Sequence, residues 1–95
     1  MTMTQVTPLE KELLDKVLST PAAGYSGYEV NYAYLHEIPM DTKKVTGLMM
    51  SLNNKGIVVI EEVDDDLDGY IIAINDDYVS FDDSTYKYSL INITL

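Results

Sequence analysis

The sequence predicts a small α+β domain, and three observations predict it. Apolar residues recur at helical spacing over residues 9–18 and again over residues 45–52. A β-branched run, residues 57–60, follows the second of these stretches closely. A second aliphatic run, residues 70–74, lies where an antiparallel partner for that strand belongs.

Taken in order, residues 1–6 read as a flexible tail. Thr7-Pro8-Leu9-Glu10 is a helix start: threonine caps, proline suits the first helical position, and Glu10 completes a capping box. Leu9, Leu13, Leu14, Val17 and Leu18 form an apolar face that runs to about Ser19, before Pro21 ends the helix. Residues 22–25 form a loop or a short bridging strand. Ser26, Gly27, Tyr28 and Glu29 offer a second capping box, opening a helix that ends near Glu37, ahead of Pro39. Its periodicity is mixed. Val30, Ala33, Tyr34 and Ile38 share one face, while Tyr28, Tyr32 and Leu35 lie on the other. Either that helix is covered on two sides or part of it is not helix.

The third helix spans residues 41–55. Asp41 or Thr42 caps it, and Val45, Leu48, Met49 and Leu52 make its apolar face. Gly56 stops it, because glycine enters the left-handed region without a Cβ clash. The hairpin then forms from residues 57–60 and 70–74 around an acidic turn that ends in Asp68-Gly69. Asn75-Asp76-Asp77 breaks the chain. A strand at 78–81, a turn at 82–84 and a last strand at 85–94 follow, with alternation that slips at Leu90-Ile91. Three helices and then a hairpin is the order of a winged helix-turn-helix. The expected organisation is a winged-helix domain over 7–75 with a C-terminal β-hairpin extension, 76–95, packed on it.

Ninety-five residues make one domain with a modest core. No apolar run approaches the ~20 residues of a membrane helix. The start, MTMTQVT, lacks the basic and apolar regions of a signal peptide. With no cysteine there is no disulfide framework and no thiolate chemistry, which fits a cytoplasmic setting. Charge is the most informative total. Sixteen acids against six lysines give −10, with no arginine. Residues 1–56 hold six acids and five lysines, whereas residues 57–95 hold ten acids and one lysine. A polyanion such as DNA or an anionic membrane is repelled by that second half.

Residues 42–74 resemble MarR-type winged-helix proteins of the small phage and prophage kind. The resemblance rests on V-x-x-L-x-x-x-L at Val45, Leu48 and Leu52, on Asn54-Lys55-Gly56, and on the aliphatic strand, acidic tip and return strand that follow. It implies that helix 41–55 is the counterpart of a recognition helix and that residues 61–70 are the wing. The wing, however, carries Glu61, Glu62, Asp64, Asp65, Asp66 and Asp68 where a DNA-binding wing presents Arg or Lys. The last twenty residues form no dimerisation helix of that family.

The outward face of helix 41–55 presents Lys43, Lys44, Thr46, Gly47, Met50 and Asn54. Lysine, threonine and asparagine can read DNA in part. Gly47 and an exposed Met50 suit a protein surface better, since methionine packs adaptably and glycine allows close approach. Asp64, Asp66, Asp68 and Gly69 match the first half of a calcium loop, but Asn75 stands where the bidentate Glu is expected and the flanks read as strands. Eight of nine aromatics are tyrosine, a residue enriched at interfaces. His36 is the only histidine and lacks a nucleophilic partner, and no phosphate-binding or zinc-protease motif is present.

The function expected is therefore non-enzymatic and needs no cofactor. It is that of a regulatory or accessory module docking a protein partner, a basic nucleic-acid-handling one, through its acidic surface, as a phage-type inhibitor or DNA mimic would. The alternative is a homodimeric DNA-binding regulator that reads with Lys43, Lys44, Thr46 and Asn54.

Overall fold

The computed structural model describes residues 3–19, 31–62, 70–85 and 87–95. The elements in chain order are β1 (Thr4–Gln5), α1 (Pro8–Ser19), β2 (Tyr32–Tyr34), a 3₁₀ turn (Leu35–Glu37), α2 (Thr42–Asn54), β3 (Val58–Glu62), β4 (Tyr70–Ile74), a second 3₁₀ turn (Asp76–Tyr78), β5 (Val79–Asp82), β6 (Lys87–Leu90) and β7 (Ile93–Thr94). Three sheets result: parallel β1-β7, antiparallel β2-β4-β3 and the β5-β6 hairpin.

Both of the described helices start for local reasons, and α2 also stops for one. The Thr7 hydroxyl accepts from the Glu10 N–H at 3.1 Å while Glu10 accepts from the Thr7 N–H at 2.7 Å, a complete capping box. Asp41 caps α2 by accepting from the Lys43 N–H. At its other end the Gly56 N–H reaches the Asn53 carbonyl and the Ile57 N–H the Leu52 carbonyl, both at 3.0 Å. This double bond is a Schellman stop, and it needs the left-handed backbone that Gly56 adopts at φ 78°. Leu52 and Ile57, the residues such a stop brings together, are both fully buried.

The core lies between the helices and the β2-β4-β3 sheet. Leu13, Leu14 and Val17 from α1 join Val45, Met49 and Leu52 from α2, above Ala33, Val58, Ile72 and Ile74 of the sheet. Each large aliphatic side chain buried there contributes about 1.5–3 kcal/mol. Leu9, expected on the apolar face of α1, is half exposed at 50%. It sits one turn before Leu13 and lines an open hollow together with Pro39 and Met40.

A three-helix winged helix is not what this chain forms. Among the described residues there are two α-helices and seven strands in three sheets. Where the middle helix was expected, over 26–37, residues 26–30 lie outside the described residues and the rest is β2 followed by one 3₁₀ turn. The edge of β4 explains the change. Asn31 is bound to Ile74 twice, accepting from its N–H at 2.8 Å and donating its side-chain amide to its carbonyl at 3.0 Å. Tyr32, Ala33 and Tyr34 then pair with Ala73, Ile72 and Ile71, burying Ala33 and leaving both tyrosines half-buried. A period of two is a strand's alternation, so the mixed helical periodicity had a physical cause.

Two further expectations are corrected. Residues 4–6 are not a tail. The Thr4 N–H donates to the Asn92 carbonyl at 2.9 Å, the Val6 N–H to the Thr94 carbonyl at 2.8 Å, and Val6 is buried. The strand expected over 85–94 is two strands in different sheets. The break falls at Ile91-Asn92, where Asn92 takes φ 60° and its amide donates to the Asp77 carbonyl at 2.8 Å. Asparagine tolerates that region better than most residues. The slip in alternation at Leu90-Ile91 marks the crossing from one sheet to the next.

Candidate binding surface

The acidic surface begins on β3. This strand pairs with β4 in the register Val58↔Ile74, Val59↔Ala73, Ile60↔Ile72, Glu61↔Ile71 and Glu62↔Tyr70. Alternation sends Val58 and Ile60 toward the core and Val59 and Glu61 outward. On the outer face two cross-strand rows form: Tyr32, Ala73 and Val59, then Tyr34, Ile71 and Glu61. Val59 is 46% exposed, Glu61 and Glu62 are exposed, and Tyr70 beside Glu62 is 42% exposed. The result is an apolar and aromatic strip on the outer face that ends in Glu61, while Glu62 and Tyr70 pair on the opposite face of the hairpin. Asp64, Asp65, Asp66 and Asp68, the rest of the expected acidic site, lie outside the described residues.

The second candidate face is on α2. Lys43, Lys44, Thr46, Gly47, Met50 and Asn54 are all exposed, Met50 at 58%. A Cβ on Gly47 would meet nothing within 4 Å, so no part of the chain needs glycine there. Neither Lys43 nor Lys44 belongs to an ion pair among the described residues. This face is separate from the β3 strip in sequence and in charge. Among the described residues between α1 and α2 the only helical turn is the 3₁₀ turn Leu35–Glu37.

One polar cluster was missed at the sequence level. Glu10 is only 2% exposed and carries three charge-assisted contacts: Lys55 Nζ at 2.7 Å, the Ser51 hydroxyl at 2.6 Å and the Thr7 N–H at 2.7 Å. Burial alone pushes this carboxyl up. The hydrogen bonds from Lys55, Ser51 and Thr7, with the Lys55 charge, outweigh it and hold Glu10 down at about 2. The same Lys55 donates to the Gln5 carbonyl at 3.2 Å. The bonds of Ser51 and Lys55 run between elements of the fold, so the cluster joins β1, α1 and α2. Its one advance signal was the capping box, which accounts for one of the three donors to Glu10.

Other polar features are local. Asp82 accepts from the Ser84 hydroxyl at 2.7 Å and the Ser84 N–H at 2.9 Å, which holds its carboxyl below the usual range and closes the β5-β6 turn. His36 is exposed, with its ring 5.8 Å from that of Tyr34. No group of three or more acidic or histidine side chains among the described residues is placed to hold a metal. No helix among them is long and apolar enough to cross a membrane. The tyrosines expected around a middle helix divide: Tyr32 and Tyr34 lie on β2, while Tyr25 and Tyr28 are outside the described residues.

These features define a class: a small acidic α+β domain whose exposed specialisation is a surface strip. No protein-family model, curated protein or solved structure matches the chain.

Proposed function

We propose that this chain is a non-enzymatic accessory module of the cytoplasm that docks a basic protein surface through the β3–β4 strip. The observation that carries this reading is the juxtaposition of exposed Val59 and half-buried Tyr34 with exposed Glu61 on the outer face of the sheet, with exposed Glu62 next along the strand. Aromatic and aliphatic groups supply contact area, and the carboxylates select a cationic partner and raise its rate of encounter. The charge of the chain supports the same partner class, since ten of sixteen acids lie in residues 57–95.

The test is binding to a basic protein such as a histone or a nucleic-acid-binding domain, followed by titration calorimetry at low and moderate salt. Glu61→Gln with Glu62→Gln should weaken binding about tenfold or more, while Lys43→Ala with Lys44→Ala should leave it unchanged. A low-salt gel shift with duplex DNA that disappears in the double lysine variant would replace this reading with DNA binding through α2.

A further inference from the structure

We infer that the partner is engaged as an extended cationic segment that adds a fourth strand to the free edge of β3. The inference rests on the proposed docking reading and specifies its geometry. The sheet order is β2-β4-β3, so among the described residues β3 has one strand neighbour and its other side is unpaired. The ladder shows which groups face that side. The Asn75 N–H donates to the Ile57 carbonyl at 2.8 Å, which makes 57 and 75 a hydrogen-bonded position. Such positions alternate in an antiparallel pair, so Val59 and Glu61 also bond inward to β4. The opposite edge of β4 agrees, since the Ile74 N–H donates to the Asn31 carbonyl of the β2 side. The N–H and C=O groups of Ile60 and Glu62 therefore face the side away from β4, whereas Val58, which points the same way, is buried at 1% exposure.

Open edges are normally blunted by lysine, proline, a bulge or a covering element. Strand β3, Val-Val-Ile-Glu-Glu, carries neither lysine nor proline, and its five residues pair with β4 without a bulge. Within the strand its charged guards are Glu61 and Glu62. They repel a second copy, which brings its own charge of −10, and attract a cationic strand. An added strand running beside β3 places alternate side chains next to Val59 and Glu61 on the outer face, where one apolar and one cationic residue fit. Main-chain bonds then supply affinity, and the carboxylates supply selectivity.

The probe is an acetylated peptide of repeating Lys-Lys-Val-Val pattern, which alternates lysine and valine along each face, compared with the same peptide N-methylated at every amide. Both carry the same charge, but the methylated form has no N–H to donate. With ¹⁵N-labelled full-length protein at about 50 mM salt, the unmethylated peptide should bind about tenfold more tightly, as one or two net hydrogen bonds imply. It should also slow exchange of the Ile60 and Glu62 amides about tenfold or more. Equal binding of both peptides, with those amides unprotected, overturns strand addition and leaves face docking standing. Failure of both peptides to bind overturns strand addition and the proposed function together.

Discussion

Lys55, at the C-terminal end of α2, donates to Glu10 Oε1 of α1 at 2.7 Å across 45 residues of chain. The ion pair is asymmetric: the carboxylate is 2% exposed, while the lysine side chain is one-third exposed. A buried acid with three donors is costly to strip of any one of them, because the remaining charge is left without compensation. Glu10→Ala and Lys55→Met should each cost about 1–3 kcal/mol, less than a fully buried pair because Lys55 stays partly solvated. Urea denaturation measures it. A loss below about 0.5 kcal/mol for both variants would show that the cluster is incidental to stability.

The same carboxylate makes a pH prediction. Its folded value is depressed to about 2 from an ordinary 4.5, so its contribution is fully present above about 4.5 and is lost as pH falls toward 2. Other acids titrate over the same range, and their protonation relieves repulsion in a chain of charge −10. The difference between the parent and Glu10→Gln isolates the effect. That difference should shrink steadily from pH 4.5 to 2 and stay flat from pH 5 to 7, as thermal melts would show.

Two glycines should respond to alanine with opposite signs. Gly47 sits in mid-helix with open space beside it, so Gly47→Ala should stabilise by about 0.5–1 kcal/mol through helix propensity. Gly56 holds φ 78°, so Gly56→Ala should destabilise by about 1–2 kcal/mol by forcing a Cβ into the left-handed region. Chemical denaturation of both variants checks the pair. A destabilising Gly47→Ala would mean that something approaches that face of α2.

Leu9 and Leu14 occupy the same helix with different fates. Leu14 is fully buried, and Leu14→Ala should cost about 2–5 kcal/mol through lost transfer energy and the cavity left behind. Leu9 is half exposed, and Leu9→Ala should stay within about 0.5 kcal/mol. Melting temperatures of the two variants are sufficient to tell them apart.

Removing residues 1–5 deletes β1, the Thr4–Tyr78 hydroxyl contact of 2.9 Å and the Lys55 bond to Gln5. The truncated chain should melt several degrees lower, and the Ile93 and Thr94 backbone should lose its exchange protection. An unchanged melt would return residues 4–6 to the status of a tail.

By itself the sequence determined the elements whose instructions are local. The α1 capping box, the apolar spacing of α2, the Gly56 stop and the β3–β4 hairpin all depend on residues a few positions apart, and each is legible in the chain. The exposed residues of α2 were legible for the same reason. Tertiary structure decided the rest. Residues 32–34 are strand because the edge of β4 was free to pair with them. Thr4 and Gln5 are strand because Ile93 and Thr94 come alongside from the far end of the chain. Glu10 is more than a cap because α2 delivers Ser51 and Lys55 to it. A helix closes its hydrogen bonds within four residues, whereas a strand depends on a partner that may be anywhere, and the identity of that partner is not written beside it.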